Sequence, residues 1–258
     1  MRRRWRAVAV VMGFMALAGA ASVAVRAADR MALWTIVHDK CVPDERSNNA
    51  PAPCALVDIA GGEDNGVAIL KDLHGVAQHL AIPTRRISGI ESPELLDPAA
   101  PDYWAAAWAA RKFLDAKLPH PLPRDAVGLA INAASQRSQD QLHIHIDCVA
   151  PAVRAALAGY SDKLTADWQA LPFPLAGRTY SARRLDSADL SDAAPFRLLA
   201  DGVAGAKDDM AHETLVAIGA TFVADKPGFI LLADHADASG GGHGENLLDM
   251  SCAIDAAP

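Results

Sequence analysis

His143 and His145 stand on alternate residues in the run Gln141, Leu142, His143, Ile144, His145, Ile146. Polar and apolar residues alternate through it, as in a strand with a side-chain period of two. Gln141, His143 and His145 then share one face, and Leu142, Ile144 and Ile146 share the other. Paired imidazoles admit three readings. They can be a polar, half-exposed face. They can bind zinc or copper if further ligands arrive, with Asp147, His235 and His243 as candidates, none at a diagnostic spacing. They can also act on phosphorus, one imidazole attacking a phosphoanhydride while neighbouring donors steady the phosphoryl oxygens; this route needs no metal and no cofactor. The residues just upstream suit the third reading: Asn132 ends a strand-like run, and the polar connection after it supplies Ser135, Arg137 and Ser138.

The elements that must position these residues follow from periodicity. Residues 28–41 carry apolar residues at helical spacing, and residues 66–73 and 76–84 read as two strands around a His-Gly turn. Pro101 opens an alanine-rich helix over 102–118, with Trp104, Trp108 and Leu114 as its core stripe. Residues 126–132 read as the strand that pairs with the histidine strand through the polar loop. Residues 152–160 and 161–171 have helical character, and 213–223 and 228–235 read as two further strands. The tail segment 238–246 is flexible by composition, and its glycines lack the strand-to-helix context of a phosphate cradle. The sum is an α+β fold, an antiparallel sheet with flanking helices.

The ends and the charge set the surroundings. Arg2, Arg3, Arg4 and Arg6 precede an uncharged apolar stretch from Ala7 to Val25, so residues 1–27 read as a signal peptide or an N-terminal membrane anchor, with the remainder exported. That segment carries five arginines and no acid, so removing it moves the formal net charge from −7 to −12. Such a body has no general attraction for nucleic acid. The four cysteines admit three pairings, and an even count in an oxidising compartment favours disulfides. Cys41 and Cys54 bracket a Pro/Asn-rich loop that a local bridge would staple, which leaves Cys148 with Cys252. A zinc site is the rival, but no Cys-x-x-Cys pair exists.

The segments "ILKDLHG", "IPTRRISGIESPELLDP", "YWAAAWAARKF" and "AINAASQRSQDQLHIHIDC", in this order along the chain, resemble the CDP-diacylglycerol pyrophosphatases of the histidine-triad (HIT-like) superfamily. The resemblance runs over nearly the whole chain and implies a HIT-like domain over residues 28–258. It implies hydrolysis of CDP-diacylglycerol to CMP and phosphatidate on the periplasmic side of a bacterial inner membrane. The superfamily pattern, His-x-His-x-His, places the nucleophile at His143 and its partner at His145, while the first position holds Gln141. Glutamine keeps a donor and an acceptor but cannot become cationic. Ser138 would hydrogen-bond a phosphate oxygen, Asn132 would support the site, and Arg137 stands where many relatives carry glutamine. Lys71 and Arg86 match positions that would contact phosphates. A HIT-type hydrolase or transferase of soluble nucleotides and a periplasmic metal-binding protein are the alternatives.

Overall fold

The computed structural model describes residues 29–256. The leader or anchor expected over 1–27 lies outside them. Nine strands form one antiparallel sheet in the order β1-β2-β3-β5-β4-β8-β9-β7-β6. They are β1 (Leu56–Asp58), β2 (Val67–Lys71), β3 (His79–Pro83), β4 (Val127–Ile131), β5 (Ile144–Cys148), β6 (Gln169–Ala170), β7 (Ser181–Leu185), β8 (Glu213–Phe222) and β9 (Lys226–His235). The long β8–β9 hairpin carries ten paired positions and follows the continuous apolar patterning of its sequence.

One face of the sheet is covered by α3 (Tyr103–Ala109), α4 (Arg111–Asp115) and α6 (Pro195–Gly202). Trp104, Trp108 and Leu114 are buried there against Leu129, Ile131, Leu142, Ile144, Ile146 and Phe229. Asp102 caps α3 by accepting a hydrogen bond from Ala105 N at 3.0 Å. The expected single helix is two short ones, since at Ala110 the chain tightens and its N–H is shared between the carbonyls of Ala106 and Ala107.

The other face holds two separate apolar clusters. Ala68, Leu70, Leu80 and Ile82 pack under Leu33, Val37, Cys41 and Val42. These last come from a helix made of α1 (Ala32–Ile36), a π-helical turn Val37–Cys41, and α2 (Val42–Asn48). The helix thus runs into what reads as a Pro-rich loop; Pro43 falls at the start of α2, directly after the π-helical turn, where Val42 N–H bonds back to Val37 O. Farther along, Ala130, Val216, Ile218 and Leu232 pack under α5 (Pro151–Ala158) with Leu247 and Leu248 of the tail. Opposed residues of an antiparallel pair share a face, and His145 lies opposite Leu80 on β3 and Ala130 on β4. The histidine row therefore occupies the gap between the two clusters.

Other expectations also differ from the structure. Residues 161–171 form a short 3-10 turn, Ser161–Lys163, and then the small strand β6, because Trp168 is drawn to α6, where its indole N–H donates to Leu198 O at 2.8 Å. The strands β1 and β7 are too short or too arginine-rich to show periodicity. The tail is held rather than loose: Gly244–Leu247 form a 3-10 turn, and Ala150 and Cys148 bond to Leu247 and Asp249 through the backbone. Disulfides join Cys41 to Cys54 and Cys148 to Cys252, as the spacing leaves them. Among the described residues no helix is long and apolar enough to cross a membrane.

Candidate active site

His143 lies one residue before β5 and is 7% exposed. Its Nδ1 is 2.7 Å from the main-chain oxygen of Gln141. A carbonyl can only accept, so Nδ1 carries the proton and the lone pair of the neutral ring is on Nε2. Burial pushes the imidazole below its ordinary pKa, against the hydrogen bond to Gln141 O and the charges of Glu245 and Asp72. The ring is thus neutral in the neutral range, a form that can serve as a base or a nucleophile.

His145 packs edge-on to His143 with ring centroids 4.8 Å apart. Burial, and next the neighbouring His143, hold it well below the usual value, while Asp72 opposes them. Its Nδ1 lies 3.2 Å from Glu245 Oε1 and 3.3 Å from Gln78 Nε2. The Gln78 amide nitrogen can only donate, so in the neutral ring Nδ1 accepts and the proton sits on Nε2, while Glu245 engages Nδ1 as an ionic partner once the ring is protonated. That Nε2 is buried without a protein partner among the described residues.

Glu245 is the hub that reading the sequence does not single out. Its carboxylate also accepts from Asn132 Nδ2 at 2.5 Å, and its own N–H donates to Asn132 Oδ1 at 3.2 Å. Asn132, expected at the site, therefore acts by clamping Glu245. A run of glycines ahead of Glu245 hides its role. The usable signal is Cys252, which, once paired with Cys148, must draw the tail across the histidine strand.

The remaining candidates are placed as follows. Gln141 is fully buried; its Nε2 donates to Pro83 O at 3.0 Å and Arg85 O at 2.9 Å, and its Oε1 accepts weakly from Ile87 N. Its side chain is a structural tie, and its main-chain oxygen is what aims His143. Arg137 forks onto Glu91 at 2.6 and 2.8 Å and also reaches Asp140. That pair overcomes burial and holds the Glu91 carboxyl below its ordinary value. The guanidinium rests over Gly89, where a Cβ would come within 2.2 Å of it. Ser138 is exposed on the loop before the site. Lys71 donates to the carbonyls of Asp72, His74 and Gly75, fixing the β2–β3 turn. Arg86 extends toward the first helix, onto Met31 Sδ and the Trp34 ring. Lys71 and Arg86 are thus engaged away from the imidazoles.

The donor set bears on the metal reading. Among the described residues the one tight group of three metal-ligating types is Asp147 with Cys148 and Cys252, and both sulfurs are spent in the disulfide. His235 is tied to Glu213 at the far end of the β8–β9 hairpin. Asp147 itself is a buried carboxyl whose Oδ1 accepts from Cys148 N and whose Oδ2 has no protein partner among the described residues; burial raises it to about 7.

Fold and site together define a class: an antiparallel α+β protein with a buried pair of neutral imidazoles, one with Nε2 available and the other set beside a carboxylate. Comparisons with known proteins give the family. The sequence model for the CDP-diacylglycerol pyrophosphatase family matches residues 28–256. A CDP-diacylglycerol pyrophosphatase of Yersinia pestis is 43% identical over 225 residues, covering 86% of this chain and 84% of that protein. The chain belongs to the CDP-diacylglycerol pyrophosphatase family.

Proposed function

We propose that this protein hydrolyses the pyrophosphate bond of CDP-diacylglycerol to CMP and phosphatidate by a HIT-like, metal-independent route through His143. Family membership supports the substrate and the overall reaction. One observation carries the mechanism: the Nδ1 proton of His143 is committed to Gln141 O, so Nε2 presents its lone pair.

In the first step Nε2 attacks the cytidylyl phosphorus, an N–P bond forms, and the bridging P–O bond breaks. Phosphatidate departs with that electron pair as a phosphate monoester, which needs far less protonation than an alkoxide would. His145 takes up a proton from solvent, holds its Nδ1–H on Glu245 and offers its Nε2–H as charge builds on the phosphoryl oxygens. Water then attacks the phosphoramidate and gives up a proton to solvent, the N–P bond breaks with its electron pair returning to His143 Nε2, and CMP leaves with His143 restored. The chain works as an exported protein attached to or facing the membrane, a setting supported by the leader-like residues 1–27 and by two disulfides.

Rapid-quench trapping with substrate labelled at the cytidylyl phosphorus tests the covalent step. Label on wild-type protein, lost in His143→Asn together with turnover, is the expected result. Full activity without label, or in the variant, overturns it. A parallel assay on a water-soluble CDP ester distinguishes a lipid-nucleotide hydrolase from one that acts on soluble nucleotides.

A further inference from the structure

Six large apolar side chains are exposed among the described residues, and three of them gather at one place. Leu73 is 97% exposed and Val76 58%, both on the turn between β2 and β3; Met250, on the disulfide-tethered tail, is 51% exposed. Val76 N donates to Met250 O at 2.8 Å, so turn and tail form one surface. The turn is held from inside, by Lys71 on three of its carbonyls and by Asp72 N on Gln78 O. Leu73 and Val76 are therefore presented by a fixed backbone.

This surface is continuous with the histidine site. Gln78, at the end of the same turn, reaches His145 Nδ1, and Asp72, at its start, acts electrostatically on both imidazoles. On the tail side Met250 lies between Glu245 and Cys252, and Cys252 is bonded to the histidine strand. A substrate whose reacting pyrophosphate joins a nucleoside to two acyl chains must present that bond close to the lipid interface. From this juxtaposition we infer that Leu73, Val76 and Met250 form an interfacial foot that enters the bilayer surface beside the site, so that the headgroup is drawn onto His143 while the acyl chains stay in lipid. The inference rests on the lipid-nucleotide reading above. The charges nearby favour apolar over electrostatic attachment: Lys71 is spent on carbonyls, and Asp72 and Asp249 are acidic. Pure phosphatidylcholine should therefore suffice, with little dependence on salt.

The test uses the full chain with phosphatidylcholine vesicles. Leu73→Cys carrying a nitrobenzoxadiazole dye is compared with the same dye at Val223→Cys, an exposed apolar site on the β8–β9 turn. The expected result is a blue-shifted emission at position 73, quenched by spin-labelled lipid, with neither change at 223. No quenching at 73 overturns the inference. So does a blue shift before any vesicle is added, accompanied by a doubled molecular mass, since the patch would then be covered by a second copy. In the activity arm, Leu73→Ser/Val76→Ser/Met250→Ser should lower turnover of vesicle-borne CDP-diacylglycerol by about tenfold or more, and leave a dissolved short-chain analogue within about twofold. Equal loss on both substrates also overturns it. If the wild type hydrolyses neither, the pyrophosphatase reading fails while the quenching result still decides the surface.

Discussion

Replacing Glu245 with glutamine isolates the charge of the carboxylate that braces His145. The variant keeps nearly the same shape and one acceptor oxygen, but loses the negative charge 3.2 Å from His145 Nδ1. Between a full carboxylate and an imidazolium at that distance, an effective dielectric of about 20 gives an attraction of about 5 kcal/mol. Glu245 retains 25% side-chain exposure, so water screens part of this. A hydrogen bond to a charged group contributes about 1.5–3 kcal/mol, and that smaller figure governs. In the proposed mechanism the interaction grows as His145 takes up a proton in the transition state, so the loss falls on kcat, by roughly 10- to 150-fold. A second signature follows from His143, whose pKa is raised by the Glu245 charge against the lowering by burial. With the charge gone, its neutral form persists to lower pH, and the acid limb of kcat/KM moves in that direction. The assay is a pH–rate profile on both proteins, with unfolding midpoints to confirm equal folding. A plateau within about twofold of wild type and an unmoved limb would refute the role given to Glu245.

Gln141→His should lower stability by about 1–3 kcal/mol without raising activity, because one imidazole nitrogen cannot donate to both Pro83 O and Arg85 O; chemical denaturation and turnover check it. Asp147, raised to about 7 in the fold from an ordinary value of 3.8, favours folding when protonated, and that stability is lost as pH rises through about 7. Asp147→Asn should therefore stabilise the protein at mildly alkaline pH by about 1–3 kcal/mol, measured by denaturation on both sides of neutrality. The buried His143 and His145 slope the other way: the stability they carry is present above the ordinary histidine pKa and is lost as pH falls toward their depressed values. Replacing Cys148 and Cys252 by serine opens a bridge across 104 residues and should cost about 2–4 kcal/mol. Activity should fall further than far-UV ellipticity in mild denaturant, since the released tail carries Glu245.

Much of this fold is legible in the sequence wherever burial imposes a period. The alternation around His143 and His145, the Trp104–Trp108–Leu114 stripe and the two apolar runs that become β8 and β9 all face a core, so each pattern marks its element. Residues 161–171 mislead because their helical spacing is overridden by the docking of Trp168 on α6. The short strand β1 and the arginine-bearing β7 have too little apolar periodicity to declare themselves. At the site, the histidines and Asn132 are visible because residue type and spacing carry their chemistry. Glu245 is not, since its contribution depends on a tail that only the Cys148–Cys252 bond brings across the sheet. Lys71 and Arg137 show the converse: basic residues beside a phosphate-type motif can be committed to local carbonyls and carboxylates.

The bond from His143 Nδ1 to the main-chain oxygen of residue 141 has an evolutionary consequence. A main-chain oxygen is present whichever amino acid occupies the position, so the group that aims the imidazole cannot be removed by substitution there. Selection at 141 is left to act on another property, here the tie from the Gln141 side chain to Pro83 and Arg85. Residue 141 can thus be exchanged without removing the group that aims His143. Searches that demand an imidazole at that position would pass over chains built like this one, and scans that alter only side chains would miss its most direct contact with His143.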